Sequence, residues 1–262
     1  MKALHAARMQ VREPDPSAAS QAPRLAATVL LVRDDPFQVL LVKRSAIGSF
    51  PSRRVFPGGV VEKQDLHERW RSLCRGGDHL NDADIAFRIA GIRECWEEAG
   101  VLCTVDGELG GLSDARSDDL LSLVERCGAH LDLGHMADFA HWVTPPSAPK
   151  RWDTRFLLAR APRNYILCCD GVETVAADWV EPKEVLARDA DGMHGLLFST
   201  RANLQLLAMS DCVDDALEAA RNRPLFRVTP SATRKDGRFL VSIPAEAGYP
   251  VSEGWVAEAP RL

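Results

Sequence analysis

No two of the seven cysteines stand in a Cys-x-x-Cys spacing, and Cys168 and Cys169 are adjacent. An odd, scattered set argues against a disulfide framework or a zinc site and suits a reducing compartment, so the expected location is the cytoplasm. No apolar run approaches the roughly 18 residues that a membrane span needs. The N-terminus lacks an apolar signal core, and no membrane partner is expected. No basic stripe stands out: the formal net charge is −5, which speaks against a nucleic-acid polymer as partner. Nucleophile motifs for Ser/His/Asp chemistry and internal repeats are also missing.

What is present is an ordinary globular composition, with 46% apolar and 26% charged residues. Glu13–Arg24 reads as part of a flexible tail over residues 1–22. "LAATVLLV" and "QVLLVKR" are apolar runs joined by the turn chemistry of "RDDPF", and they read as a buried hairpin. Ser113–Gly128 reads as a helix. "FAHWVTP" and "RWDTRFLLARA" read as strands, "VETVAADWV" as another, and "EPKEVLAR" as a helix. This alternation predicts an α/β fold with a mixed sheet. Beyond residue 193 the chain changes character. Two helices (Ser199–Met209, Asp211–Asn222) precede a hairpin turning at Asp236-Gly237. Residues 193–262 are therefore expected to be a C-terminal helical and hairpin extension that covers the substrate or builds a homodimer contact.

The informative stretch is "AFRIAGIRECWEEAGV". Ile85, Ile89, Ile92, Trp96 and Ala99 alternate at spacings of four and three, which predicts a helix with one apolar stripe. Asp82 or Asp84 can cap its start, and Gly100 can end it in the left-handed conformation. Glu94, Glu97 and Glu98 fall within an arc of about 100°, expected to point away from the stripe. Glu94 and Glu98 repel as like charges four apart, at roughly 0.2–0.5 kcal/mol. Glu97 and Glu98 also sit in the last turn, where the helix dipole disfavours anions. A hard divalent cation, Mg²⁺ or Mn²⁺, would reverse both penalties. Upstream, Pro57-Gly58-Gly59 is a turn in which glycine lets the backbone approach a ligand and leaves a carbonyl free for a metal.

Taken together, Gly59, Asp65 and Arg93-Glu94-Cys95-Trp96-Glu97-Glu98-Ala99-Gly100-Val101 resemble the signature of the Nudix hydrolase family. That signature runs Gly, five residues, Glu, seven residues, then Arg-Glu-apolar-x-Glu-Glu-x-Gly-apolar. Two departures stand out: Asp65 replaces the Glu, and 27 residues separate Asp65 from Arg93. A box split by an insert, here about residues 66–85, resembles the branch that includes the mammalian peroxisomal coenzyme A diphosphatase. Val55–Val60, Asp84–Ile89, Trp142–Pro145 and Arg151–Leu158 resemble that branch as well.

The resemblance implies a Nudix-type α/β/α sandwich over residues 23–192 and hydrolysis of the diphosphate linkage in a small nucleoside diphosphate derivative. Coenzyme A or acyl-coenzyme A is favoured by the branch, although the coenzyme A motif begins as "LLVKRS" and then lacks its Arg and Gly. It also implies metal ligation by Glu94, Glu97, Glu98 and the Gly59 carbonyl, with Arg93 orienting the carboxylates and Asp65 as its expected partner. A general base comes from the box, as Glu97, or from a later loop, where Glu173 is the candidate. Arg44, Arg54 and Arg151 are the candidate phosphate-binding residues, with Arg53 and Arg155 beside them. His130, His135 and His141 have no helical ligand spacing and read as structural. ADP-ribose or NADH-type dinucleotides and a non-catalytic nucleotide sensor are the alternatives. A housecleaning nucleoside-triphosphate pyrophosphatase fits the insert and extension poorly.

Overall fold

The computed structural model describes residues 22–47, 50–106, 119–148, 150–189 and 195–256. The tail over residues 1–21, the first part of the helix expected from Ser113, and the boundary near residue 193 lie outside the described residues.

An eight-stranded mixed sheet forms the centre. Its first strands are β1 (Arg24–Arg33) and β2 (Gln38–Arg44), the expected hairpin. β1 and β2 pair only at their turn-proximal ends. Further along, β3 (Arg54–Val55) pairs with β2 and β4 (Gly58–Val60) pairs with β1. The Pro57-Gly58-Gly59 turn thus enters the space where the two long strands part.

The insert within the box is not a simple surface excursion. Two 3-10 turns, Lys63–Leu66 and Glu68–Leu73, are followed by β5 (Cys74–Arg75). Trp70 is buried in the core, its indole N–H donating to the Gln64 carbonyl at 2.8 Å. The catalytic-helix candidate is α1 (Asp82–Ala99). Asn81 caps it rather than Asp82 or Asp84, its side chain accepting from the Asp84 N–H at 2.9 Å. Gly100 ends it at φ 72°, with Val101 N–H returning to the Cys95 carbonyl at 3.2 Å.

A small second sheet joins β5 to β6 (Thr104–Asp106) and β7 (His130–Asp132), with α2 (Leu120–Arg126) between β6 and β7 in sequence. β8 (Met136–Val143) and β9 (Trp152–Arg160) return to the main sheet, β9 running parallel to β1. β10 (Thr174–Val180) pairs antiparallel with β2 and is followed by α3 (Pro182–Arg188).

Side chains on a strand alternate between faces, and β1 and β2 are buried on both. Val29, Leu31, Leu40 and Val42 pack with Ile85, Ile89, Ile92 and Trp96 of α1. Leu30, Val32, Val39 and Leu41 join a separate cluster with α4 (Phe198–Leu207) and α5 (Val213–Asn222). The two helices expected as an extension therefore close the second face of the sheet, completing helix–sheet–helix layering. β11 (Arg227–Val228) adds to β8, while β12 (Ser231–Lys235), β13 (Arg238–Ser242) and β14 (Glu253–Val256) form a third sheet whose hairpin turns at Asp236-Gly237. Among the described residues no helix is long and apolar enough to cross a membrane.

Candidate active site

Glu94 and Glu98 are largely buried, at 12% and 2% exposed, while Glu97 is half-exposed. α1 is covered on nearly every side. The cause is the box turn: β4, paired with β1, packs against the last turns of α1 and sets Gly58 beside Glu98 and Gly59 beside Glu94. Gly59 is the closest point. A Cβ there would stand 2.1 Å from Glu94 Oε1, so no other residue fits without displacing that carboxylate.

Arg93 organises the cluster. Its Nε and Nη2 donate to the two oxygens of Asp65, each at 3.0 Å, and Nη2 also donates to the Val60 carbonyl at 2.9 Å. Nη1 reaches Glu94 Oε1 at 2.8 Å and Glu97 Oε2 at 2.9 Å. Asp65 thus pairs with Arg93 in the place where the family signature has Glu. The shorter side chain reaches because its own 3-10 turn brings it in, with Glu62 N–H donating to Asp65 Oδ2 at 2.8 Å. A planar guanidinium held on a buried carboxylate through two parallel bonds is a rigid mount for its neighbours.

Glu98 accepts from the Gly58 N–H at 3.1 Å. Arg44, at the end of β2, brings Nη1 to 2.8 Å from Glu98 Oε1 and to 3.2 Å from Glu173 Oε2. Glu173 does not lie in a strand as expected. It precedes β10, in a loop that Asp170 ties down by accepting from the Val172, Glu173 and Thr174 N–H groups at 2.7–2.9 Å. Thr174 Oγ1 donates to the Glu98 carbonyl at 2.9 Å, and Ser45 N–H donates to the Glu173 carbonyl at 2.8 Å. The loop is therefore fastened to both the end of α1 and the end of β2.

Crowding these acids has an electrostatic consequence. Burial pushes Glu98 up to about 8; Arg44 opposes the rise and Glu94 adds to it. Burial likewise lifts Glu94 to about 7 against the pull of Arg93, and lifts the half-exposed Glu97 more modestly. Carboxylates that resist ionisation when crowded and buried are groups a hard cation would stabilise. The fit to a divalent ion rests on this oxygen-rich set and on the Gly59 cradle, which only a residue without Cβ leaves open.

The arginines divide. Arg44 is inside the site. Arg54 is not brought there: it pairs with Asp178 at 3.0 Å on the neighbouring strands, while Arg53 lines the cleft. Arg151 donates to the Thr144 carbonyl at 3.3 Å, at the far end of β9. Arg155 lies over the Phe87 ring on the α1 side of the sheet. Asp153 pairs with His141 at 2.5 Å and with Arg227, not with either neighbouring arginine. His130 and His135 are bound to Asp106 and Asp132.

A cleft of about 1100 Å³ runs from Gly58, Gly59, Glu94, Arg44 and Glu173 to a second end rich in aromatic rings. There Phe50 lies 5.9 Å from Trp152, Phe56 packs edge-on to Phe156, and Trp142 packs edge-on to Phe198. Of these rings only Phe56 adjoins the box in sequence. Only their convergence in the fold makes them part of the cleft.

Acids are thus gathered under a glycine turn, with Arg44 reaching across from β2, at one end of a long, partly aromatic groove. The NUDIX domain family model matches residues 22–198, and the chain belongs to the Nudix family. Among its relatives is a Caenorhabditis elegans protein named "Putative nudix hydrolase 7", 29% identical over 184 residues, covering 66% of this chain and 56% of that protein. A second, from Gallus gallus and named "Acyl-coenzyme A diphosphatase NUDT19", is 26% identical over 241 residues, with 63% and 62% covered. The chain thus spans between half and two thirds of the length of these relatives. The crystal structure of a NUDIX hydrolase from Alicyclobacillus acidocaldarius matches with TM-score 0.66 at 28% identity, covering 78% of this chain and 100% of that one.

Proposed function

We propose that the chain is a divalent-metal-dependent Nudix hydrolase that cleaves the diphosphate linkage of a nucleoside diphosphate derivative, with coenzyme A or an acyl-coenzyme A as the preferred substrate. The observation that carries the reading is the opening of Glu94 and Gly59, with Glu98 buried behind them beside Arg44, onto a cleft of about 1100 Å³ that has one charged and one aromatic end. That volume is at the upper end for small-molecule sites, roughly 300–1000 Å³. It suits a substrate with a nucleotide and a second long arm. The likeness to an acyl-coenzyme A diphosphatase in the chicken relative's name supports the choice.

Glu94, Glu97, Glu98 and the Gly59 carbonyl would hold Mg²⁺ or Mn²⁺, which neutralises diphosphate charge and acidifies a bound water. Arg93 keeps Glu94 and Glu97 at a fixed spacing. Arg44 offers its fork to a phosphate oxygen. Glu173, 69% exposed at the cleft rim, is free to accept a proton from the attacking water, and Asp170 and Thr174 fix its height above α1. The aromatic end receives the part of the substrate remote from the reacting phosphorus.

The test is product identification by mass spectrometry after incubation with Mg²⁺ or Mn²⁺ and coenzyme A, acetyl-coenzyme A, NADH, ADP-ribose and a nucleoside triphosphate. Formation of 3′,5′-ADP with 4′-phosphopantetheine is expected. AMP from NADH or ADP-ribose alone would keep the hydrolase and replace the substrate. No product from any of the five would favour a nucleotide sensor.

A further inference from the structure

The two arginines of the cluster are held very differently. Arg93 is anchored by Asp65 and the Val60 carbonyl as well as by the glutamates. Arg44 has a backbone anchor too, but no carboxylate grips it through two parallel bonds. Nη2 donates to the Gly58 carbonyl at 2.9 Å, and Nη1 contacts Glu98 Oε1 and Glu173 Oε2. The contact with Glu98 Oε1 is an ion pair off the line of a hydrogen bond, and that buried oxygen has no hydrogen-bond partner. Arg44 Nε is likewise buried without one. Among the described residues, no three His, Cys, Asp or Glu side chains form a ready-made cation cage. Arg93 lies across Glu94 and Glu97, and Arg44 lies across Glu98 and Glu173.

We propose that Arg44 is a displaceable internal counter-ion. It neutralises Glu98 and Glu173 while no cation is bound, yields Glu98 to a divalent cation, and then turns its fork to the substrate's phosphate. The inference rests on the metal reading above and deepens it. Arg93 engages one oxygen of Glu94 and one of Glu97 and leaves the other of each open, whereas the Gly58 N–H and Arg44 between them engage both oxygens of Glu98; a cation on Glu98 Oε1 would there meet a like charge at contact. The displaced fork has somewhere to go: Arg44 lines the cleft, and its paired donors match a phosphate as they match a carboxylate. Cation binding and phosphate binding are then coupled through one side chain. Metal entry frees the phosphate ligand, and the phosphate keeps that ligand off the metal site.

The experiment is a Mn²⁺ titration of the substrate-free protein followed by electron paramagnetic resonance. It compares the wild type, Arg44→Gln and Arg24→Gln. Arg24 lines the same cleft and, among the described residues, has no ion pair with a box glutamate, so its loss controls for a general change of charge. Arg44→Gln is expected to tighten Mn²⁺ binding by about 5- to 150-fold, the usual span of a coupling between two sites, while raising the substrate KM. Arg24→Gln is expected to change Mn²⁺ affinity by less than about twofold, because Arg24 is exposed to screening solvent. Should Arg44→Gln fail to fold, Arg44→Lys is expected to shift affinity in the same direction by a smaller factor, since an ammonium cannot span Gly58 and both carboxylates as a fork does. Unchanged or weaker Mn²⁺ binding by the folded variant, or equal tightening in Arg24→Gln, would overturn the proposal. Failure of the wild type to bind Mn²⁺ at all would instead overturn the metal reading on which it rests.

Discussion

Glu98 makes the metal-free protein less stable as the pH rises, and replacing it by Gln should remove that dependence. Burial raises the carboxyl from an ordinary 4.5 to about 8. Between those limits the folded protein keeps a proton that the unfolded chain has released. Stability contributed by the protonated form is therefore complete below about pH 4.5 and is lost progressively up to about pH 8, at no more than about 1.4 kcal/mol per pH unit. From pH 5 to pH 8 the ceiling is about 4 kcal/mol, and half of that moves the melting temperature of a chain of this size by about 4–8 °C. The assay is differential scanning calorimetry in EDTA at pH 5, 6, 7 and 8, read as the difference between wild type and Glu98→Gln. His141, which burial holds below its ordinary value, contributes an opposite slope near neutrality but is common to both proteins and cancels. The wild type should lose several degrees relative to the variant as the pH rises. Millimolar Mn²⁺ should reverse the difference at pH 8, because a cation binds the ionised cluster of the folded state alone. A difference that stays flat with pH would show that Glu98 is not buried against its charge.

Three further outcomes follow from the same geometry. Gly59→Ala places a methyl group on the Glu94 carboxylate; kcat should fall at least about 100-fold with the melting temperature little changed, and steady-state kinetics would check it. Arg93→Met strands the buried Asp65 without its partner, which should destabilise the fold by roughly 3–5 kcal/mol in urea denaturation. Asp170→Ala frees the backbone beneath Glu173; kcat should drop about 10-fold or more with KM nearly unchanged, whereas a purely structural role for Asp170 would lower stability and leave kcat intact.

Much of this was legible because the signals were local. The alternation of Ile85, Ile89, Ile92 and Trp96 with Gly100 at its end defines α1, and continuous Val and Leu runs define strands buried on both faces. What buries Glu94 and Glu98 is non-local. An apolar stripe identifies one packed side of a helix, but nothing in a single helix reveals that β4, paired with β1, will pack against the glutamate side as well. The same limit applies to Arg53 and Arg54, adjacent residues of which only Arg54 lies in β3 and pairs with Asp178. The β5–β7 sheet escaped because strands of two or three residues are too short to show a period. Trp70, with Leu73, Cys74 and Leu80 after it, is the sign in the sequence that the insert is packed. The aromatic end of the cleft and the tie between Thr174 and Glu98 depend on contacts across more than fifty residues, for which a single sequence carries no pattern.

The most direct measurement is the turnover rate of Glu98→Gln with Mg²⁺ or Mn²⁺, on whichever of coenzyme A, acetyl-coenzyme A, NADH or ADP-ribose the wild type hydrolyses. Loss of turnover by at least about 1000-fold in a folded variant is the expected result if Glu98 holds the catalytic cation. Turnover within about tenfold of the wild type would contradict it, and the carboxylate cluster would then have to be structural.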